Sequence, residues 1–332
     1  MSFRDVAGDT GMHKINFPVF AVLLSVLVFG CGGNEKKESD DEPPAPDKPR
    51  IALIMKSLAN EFFLTMEEGA RAHNAESSDA YTLFAEGIKD ELDVNRQIQL
   101  VEQMMNRRVN AIVIAPADSK ALIPVCQRAI KAGIVVVNID NKFDAEVLAE
   151  RGAQIPFVGP DNRKGAYLAG AYLAEHLAEG APVAIIEGVP SAFNAIQRKQ
   201  GFEDAMNEAG MRIVASQTAD WEMARANRVA SAIITEQPEL KAMLCANDSM
   251  ALGAVAALRA AGRLEQVHVV GFDNISAAQE LLKKGELLAT VDQHADQLAV
   301  FGIEYALEML KTGRAPSDHE TPVDLITAAA AP

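Results

Sequence analysis

Polar and aromatic side chains follow many of the short apolar runs in this sequence, where they could bind a small polar ligand. The candidates are Lys56, Asn60, Phe62, Phe63, Asp140, Asn141, Arg198, Trp221, Asn247, Asp273 and Gln293. Carboxylate, amide and guanidinium groups offer paired, planar donors or acceptors, whereas each sugar hydroxyl both donates and accepts. Aromatic rings suit the C–H faces of a sugar ring, so this mixture favours a monosaccharide ligand.

Several of these candidates also have a purely structural interpretation. Asn60 is equally suited to cap the helix that follows it, and Asp273 is suited to a helix cap or a turn. Phe62 and Phe63 suit ordinary core packing, Trp221 suits a surface position at a strand exit, and Arg198 suits an ion pair. Asp248 is predicted to cap the helix SMALGAVAAL and not to contact the ligand. The set is therefore more persuasive than any single member.

The sequence lacks the common signatures of catalysis and metal binding. The first strand and the residues after it read IALIMKSLANEFF, which contains no GxGxxG. Neither GxxxxGK[ST] nor GxSxG occurs in the sequence. The six histidines form no HExxH, and the three cysteines form no CxxC. We therefore expect no catalytic residue, no cofactor and no metal site.

Positioning these side chains requires an alternation of strands and helices. Apolar runs at 51–55, 81–85, 111–115 and 134–139 alternate with amphipathic segments at 61–74, 92–108 and 119–132, and Gly133 suits a left-handed helix end. A second series predicts helices at 163–178, 195–208, 224–236, 249–261 and 277–284, and strands at 183–186, 212–215, 242–245, 267–271 and 288–291. Continuous apolar strands are typical of parallel sheets covered on both faces, so we expect an α/β fold with two doubly wound lobes.

Length and charge agree with this organisation. The 332 residues suffice for about two domains of roughly 100–200 residues. Acidic side chains number 46 and basic ones 31, which gives a formal charge of −15. A nucleic-acid ligand is not expected, because binding phosphate backbones needs clustered Lys and Arg. Only one long apolar stretch occurs, at 17–30, which disfavours a multi-span membrane protein.

That apolar stretch is typical of an export signal. It follows His13 and Lys14 and ends in the sequence VFGC, which resembles a bacterial lipobox with Cys31 as the lipidated residue. The compact signal would begin at Met12, and a single membrane anchor is the alternative interpretation. Residues 32–50 are rich in charge and proline and are predicted to form a disordered tether. Cys126 and Cys245 could pair in an oxidising compartment, but their apolar contexts favour two buried free thiols.

The motifs IALIMKSLANEFF, AIVIAPADS, VVVNIDNKFD, ASQTADW, CANDSMALGA, VVGFDN and LLATVDQ resemble the periplasmic pentose- and hexose-binding proteins of ABC transporters, the ribose- and allose-binding group, over about 51–325. The resemblance implies a type I periplasmic binding protein, in which three crossovers form the hinge and the last helix, predicted at 294–311, returns to the first lobe. It places the N-terminal lobe at 51–160 plus 294–324 and the C-terminal lobe at 161–293 plus 325–332.

The resemblance also assigns roles to the candidates. Phe62, Phe63 and Trp221 would sandwich the sugar ring. The family's hydrogen-bonding positions correspond to Asn60, Asp140, Arg198, Asn247, Asp273 and Gln293.

Two positions bear on the choice of sugar. Ribose binders of this family have a small hydroxyl residue where this chain has Lys56, and Arg where it has Asn141. Lys56 could replace that cation and reach a group that a pentose lacks, which favours an aldohexose such as allose over ribose. The stretch VPSAFNAIQR departs from both patterns.

The implied function is a monomeric, lipid-anchored receptor that delivers a monosaccharide to ABC permease subunits. A sensor that presents its closed form to a chemoreceptor or kinase is the alternative. A lactose-repressor-type regulator would need an N-terminal helix-turn-helix in place of the signal and tether. A glycosidase using Asp140 and Asp273 as its carboxylate pair would need to form product from a sugar.

Overall fold

A computed structural model of the protein describes residues 48–329 of the 332-residue chain. The predicted signal, Cys31, the predicted tether as far as residue 47 and the last three residues lie outside the described residues. Residues 48–329 form one compact unit. None of the helices in the described part is both long and apolar enough to cross a membrane.

Strands and helices alternate along this unit. The strands are β1 (Arg50–Ser57), β2 (Thr82–Ile88), β3 (Ala111–Ile114), β4 (Val135–Ile139), β5 (Phe157–Pro160), β6 (Pro182–Glu187), β7 (Arg212–Thr218), β8 (Ala242–Cys245), β9 (His268–Val270), β10 (Ala289–Asp292), β11 (His319–Thr321) and β12 (Asp324–Thr327). The helices are α1 (Glu61–Glu76), α2 (Val94–Asn106), α3 (Ile123–Lys131), α4 (Ala145–Glu150), α5 (Asn162–Ala174), α6 (Phe193–Glu208), α7 (Met223–Glu236), α8 (Asp248–Ala260), α9 (Ser276–Lys283) and α10 (Ala295–Thr312).

The first lobe is built on a six-stranded parallel sheet in the order β11-β5-β4-β3-β1-β2. Successive side chains of its central strands point to opposite sides of the sheet, and the side chains on both sides are buried. Ala52 and Ile54 pack in the same cluster as the apolar residues of α2 and α3. Ile51 and Leu53 belong to the cluster on the other face, which includes α1 and α10. Helices therefore cover both faces, as parallel strands require.

The second lobe repeats this plan with the order β12-β10-β9-β8-β6-β7. Its strands are parallel except for β12, which runs antiparallel to β10. The carboxyl ends of the parallel strands are where open α/β sheets bind ligands. Each lobe therefore presents one ligand-binding edge.

The chain crosses between the lobes after β5, after β10 and between β11 and β12. After the second crossing, α10 packs on α1, β3 and β4, so the last long helix returns to the first lobe. The prediction of two doubly wound α/β lobes is confirmed. The final crossing lies between Thr321 and Asp324, and Asp324 already pairs in the second sheet.

Several elements differ from the expectation. The short helix α4 and the strands β5, β11 and β12 have no counterpart among the segments predicted from periodicity. Each has six residues or fewer, too short for a clear apolar period. Gly133 has a φ of 84°, as expected for the residue after a helix.

Both remaining cysteines are free and buried, Cys126 in α3 and Cys245 in β8. Burial raises the pKa of the Cys126 thiol to about 12 and raises that of Cys245 further. The prediction of two buried free thiols is confirmed.

Candidate functional site

A cavity of at most about 230 Å³ lies where the carboxyl-end edges of the two sheets face each other. Six of its lining residues come from the first lobe, namely Lys56, Asn60, Phe62, Phe63, Glu91 and Asp140. Six come from the second, namely Asn194, Arg198, Trp221, Asn247, Asp273 and Gln293. Each lobe therefore supplies half of the residues that enclose this small cavity.

The turn from β1 into α1 positions three of these residues. Asn60 is the N-cap of α1, and its Oδ1 accepts a hydrogen bond from the backbone N–H of Phe62 at 3.2 Å. Phe62 and Phe63 follow in the first helical turn, with ring centroids 5.0 Å apart in an edge-to-face arrangement. Asn60 thus caps the helix and also lines the cavity, so its two sequence interpretations are compatible.

Lys56 and Asp140 form a buried ion pair in the first lobe. The Lys56 Nζ lies 3.1 Å from Asp140 Oδ2, although Oδ2 has no hydrogen bond with proper geometry. The ammonium also lies 5.2 Å from the ring centroid of Phe63 and 5.5 Å from that of Trp221. The Trp221 contact joins the two lobes. The Lys56 side-chain nitrogen therefore contacts a carboxylate and two aromatic rings.

Three cavity residues have left-handed backbone conformations that are unusual outside glycine. The φ angle is 60° at Asp140, 69° at Trp221 and 119° at Asp273. Such conformations are strained for residues with a Cβ and concentrate at functional sites. Each one turns a side chain at the end of a strand or in a tight loop toward the cavity.

Arg198, Asp273 and Gln293 form a hydrogen-bonded group in the second lobe. Arg198 Nη1 donates to Asp273 Oδ1 at 3.2 Å, and Gln293 Nε2 donates to the same oxygen at 2.7 Å. The Arg198 guanidinium is also held by Asn162 Oδ1 and the carbonyl of Ala246, and it stacks on the Phe272 ring. Burial raises the pKa of Asp273, and the neighbouring Arg198 opposes that shift. These hydrogen bonds hold the Arg198 and Asp273 side chains in a fixed position relative to each other.

Trp221 is placed by a glycine that sequence patterns did not single out. Its ring is 5% exposed and packs on Gly188, directly after β6. A Cβ at Gly188 would overlap the six-membered part of the indole. The ring can therefore reach the cavity only because residue 188 has no side chain.

The N-cap of α8 is Asn247, so the prediction that Asp248 caps this helix is wrong. Asn247 Oδ1 accepts from the backbone N–H of Met250 at 2.9 Å, and Asn247 also lines the cavity. Asp248 is the first helical residue and points away from the cavity, where it accepts hydrogen bonds from Thr290 Oγ1 and the N–H of Ile275. Burial raises the pKa of Asp248 to about 6.

Asn141 does not line the cavity, which corrects its assignment as a ligand-binding residue. It is fully buried, and its Nδ2 donates to the carbonyl of Pro116 at 2.8 Å. Its Oδ1 accepts from Ser119 Oγ and from the backbone N–H of Asn194, each at 3.2 Å. The bond to Asn194 makes Asn141 a link between the lobes.

Two lining residues, Glu91 and Asn194, were missed at the level of sequence. Asn194 is the second residue of α6, in the stretch VPSAFNAIQR, and Glu91 lies in the loop between β2 and α2. Neither follows its strand directly. The departure of that stretch from the familiar motifs was the one available signal for Asn194.

The cavity is rich in buried acceptor oxygens that have no hydrogen-bond partner. Within residues 48–329, eight buried side-chain polar atoms are unpartnered, and five of them belong to cavity residues. These five are Oε1 and Oε2 of Glu91, Oδ2 of Asp140, Oδ1 of Asn194 and Oε1 of Gln293. Asp140 Oδ2 faces Lys56, and each of the other four oxygens costs about 1–3 kcal/mol while it stays unpaired. A ligand that donates several hydrogen bonds would satisfy them.

Direct contacts between the lobes surround the cavity. The backbone N–H of Ser276 donates to Glu61 Oε1 at 2.8 Å, and that of Phe193 donates to Ser119 Oγ at 2.9 Å. Ser249 Oγ lies 3.4 Å from Asn60 Oδ1. The structure therefore represents a closed arrangement of the two lobes.

Residues 51–315 match the model of the periplasmic binding protein domain family. A D-ribose/D-allose-binding protein from Pseudomonas aeruginosa is 59% identical over 311 residues, which cover 92% of this chain and 97% of that protein.

Two solved structures show the same architecture. An ABC transporter solute binding protein from Burkholderia multivorans with an unknown ligand is 54% identical, with a TM-score of 0.83, covering 84% of this chain and 99% of that one. An ABC transporter periplasmic solute binding protein from Actinobacillus succinogenes with bound D-allose is 36% identical, with a TM-score of 0.81, covering 86% and 99%.

Proposed function

The chain belongs to the periplasmic binding protein domain family, and from this premise we propose that it is the solute-binding component of an ABC sugar importer. The protein captures a monosaccharide between its lobes and delivers it to the permease subunits of the importer. Only the closed arrangement contacts the ligand from both lobes, so binding shifts the equilibrium toward closure. Family membership indicates a periplasmic location.

The observation that carries this proposal is the group of five buried oxygens around a small cavity that accept no hydrogen bond from the protein. Each sugar hydroxyl can donate one hydrogen bond to such an oxygen. Phe62, Phe63 and Trp221 provide aromatic surface from both lobes for the ring. A small polyhydroxylated ligand matches both features, whereas an apolar ligand would leave the oxygens unpaired.

Within this class we propose an aldohexose such as allose as the preferred ligand over ribose. Lys56 supports this choice because it lines the cavity and has ammonium donors beyond the one facing Asp140. The relative from Pseudomonas aeruginosa bears both sugars in its name, and the structure from Actinobacillus succinogenes contains D-allose.

The sugar is expected to leave the protein chemically unchanged. Asp140 faces an ammonium and Asp273 accepts from a guanidinium and an amide, so both carboxylates are already engaged by protein groups. The family is one of solute-binding proteins. Incubation with D-allose followed by mass analysis of the sugar should therefore show no product.

Thermal unfolding of the compact unit tests the ligand class. D-allose, other aldohexoses, D-ribose and polyols are each added in excess. A ligand at 100 times its dissociation constant that binds only the folded state adds about 2.7 kcal/mol to the free energy of unfolding. Stabilisation by D-allose and not by D-ribose supports the proposed ligand. Stabilisation by D-ribose alone overturns the choice of sugar, and no effect from any sugar overturns the ligand class.

The proposal also includes a lipid anchor at Cys31 and a monomeric state. Cells expressing the full chain and its Cys31→Ser variant are labelled with a fatty-acid analogue. Label on the unaltered chain alone supports the lipid anchor. Equal labelling of both chains would contradict an anchor at Cys31. The molar mass by light scattering should be that of one chain with and without D-allose.

A further inference from the structure

Two helices of the second lobe, α6 and α9, begin after an apolar residue that cannot cap them. These residues are Ala192 and Ile275, and neither side chain accepts a hydrogen bond. The helices α1, α2, α5 and α8, by contrast, each follow an Asn or Asp whose side chain accepts a backbone N–H of the same helix. The first N–H groups of a helix have no partner within it, so those of α6 and α9 need partners other than an N-cap side chain.

The partner at α9 is a carboxylate of the first lobe. Ser276 is the first residue of α9, and its backbone N–H donates to Glu61 Oε1 at 2.8 Å. The first turn of α9 contains no acidic residue, so Glu61 supplies the negative charge that a helix N-terminus favours. Glu61 is also the first residue of α1. One carboxylate therefore lies at the N-termini of two helices, one in each lobe.

The partners at α6 are a hydroxyl and an amide of the first lobe. The backbone N–H of Phe193, the first residue of α6, donates to Ser119 Oγ at 2.9 Å, and that of Asn194 donates to Asn141 Oδ1 at 3.2 Å. Ser119 Oγ itself donates to Asn141 Oδ1 at 3.2 Å. The hydroxyl thus uses its proton within the first lobe and a lone pair across the cleft. Ser119 and Asn141 therefore cap α6 as one hydrogen-bonded pair.

These contacts are separate from the sugar site. None of Glu61, Ser119 and Asn141 lines the cavity. Each hydrogen bond to α6 or α9 joins the two lobes, so it must break when the lobes separate. Its strength therefore adds to the free energy of closure without depending on which sugar lies in the cleft.

We propose that Glu61, Ser119 and Asn141 are positioning residues that cap α9 and α6 across the cleft, and so set how strongly the closed form is favoured and how tightly any sugar is held. This inference rests on the proposed function, because it requires a cleft that closes on a ligand. Glu61 should have the largest effect, since hydrogen bonds to an ionised acceptor are roughly twice as strong as those between neutral groups.

Position 276 allows the hydrogen bond to Glu61 to be deleted from the donor side. Proline has no backbone N–H, and it is favoured at the first position of a helix, which Ser276 occupies. Ile275 before it is extended, with a ψ of 156°, as the residue before a proline prefers. Ser276→Pro should therefore keep α9 folded and remove the donor to Glu61.

Isothermal titration calorimetry of the wild type, Glu61→Ala, Ser276→Pro and the double variant tests the inference. The probe is D-allose, or whichever monosaccharide of the thermal screen the wild type binds more tightly. Each single variant should weaken binding by about 3- to 30-fold. The double variant should bind about as well as the weaker single variant, because both changes remove the same hydrogen bond.

A control and a rate measurement separate closure from other effects. Glu68→Ala removes an exposed glutamate further along α1 and should leave the affinity unchanged. Trp221 is the only tryptophan of the sequence and lines the cavity, so its fluorescence can report sugar release in a stopped-flow experiment. In Glu61→Ala and Ser119→Ala, release should become faster by the same factor by which the affinity falls, with little change in the association rate.

The outcomes distinguish this inference from the proposed function. Sugar binding by the wild type with unchanged affinity in the single variants, with fully additive losses in the double variant, or with a loss confined to the association rate overturns the role of these caps and leaves the proposed function intact. A wild type that binds no sugar overturns both.

Discussion

Replacing Lys56 by methionine separates the structural and the ligand-binding contributions of the cavity. Lys56 and Asp140 are both almost fully buried, and their charged groups lie 3.1 Å apart. At an effective dielectric constant of about 20, this separation corresponds to an attraction of about 5 kcal/mol. Removing one partner of a buried pair typically costs about 3–5 kcal/mol, because the other charge stays buried. Methionine keeps most of the volume of the side chain, so the loss is mainly electrostatic.

We therefore expect Lys56→Met to lower the free energy of unfolding of the ligand-free protein by up to about 3 kcal/mol at neutral pH. Both residues belong to the first lobe, so the ion pair itself persists when the lobes open, but the full loss applies to the closed arrangement in which the pair is buried. Urea unfolding followed by circular dichroism measures it. The double variant Lys56→Met/Asp140→Asn should regain much of the stability, because no unpaired aspartate remains.

Sugar binding should respond differently from stability. Loss of the Lys56 donors should weaken D-allose binding by about 10- to 100-fold and D-ribose binding by less, because Lys56 is proposed to reach a group that the pentose lacks. The double variant should not recover this affinity. Lys164→Met, on the exposed side of α5, is the control and should change neither quantity.

Two results would refute this reasoning. A Lys56→Met protein as stable as the wild type would show that the buried pair contributes nothing to folding. An unchanged ratio of D-allose to D-ribose affinity would refute the role of Lys56 in choosing the sugar, whatever its effect on stability.

Three further predictions concern the cavity and the core. Gly188→Ala should weaken sugar binding by displacing Trp221. In calorimetry, the double variant Gly188→Ala/Trp221→Ala should bind sugar almost as well as Trp221→Ala alone. A full additional loss of affinity in the double variant would contradict the packing argument. The folded-state pKa of Glu91 is raised from 4.5 to about 7. The buried carboxylate should therefore lower the free energy of unfolding progressively between about pH 4.5 and pH 7, by about 3 kcal/mol in total, and the loss should stay constant above pH 7. Glu91→Gln should thus gain more stability over the wild type at pH 8 than at pH 5 in thermal melts, and an equal gain at both would count against the raised pKa. Cys126 and Cys245 should react with a thiol reagent only after unfolding, and rapid labelling of the native compact unit would contradict their burial.

The sequence by itself was sufficient for the architecture and for most of the cavity. Continuous apolar strands such as VVVNI can be buried only under helices on both faces, so two doubly wound lobes followed from periodicity. Residues placed directly after strands, such as Asp140 and Gln293, line the cavity because the carboxyl ends of parallel strands share one edge. Position relative to a strand is a local property that the sequence displays.

Tertiary structure decided which neighbours of those positions face the cavity. Asn141 follows Asp140 directly. Because the backbone at Asp140 is left-handed, the Asn141 side chain lies outside the cavity and bonds to Asn194 of the other lobe. Glu91 lies in an exposed loop, yet its side chain is buried and lines the cavity, and Gly188 matters only through the ring that packs on it. These features depend on backbone turns and on contacts between segments far apart in the chain, which no periodicity in the sequence encodes.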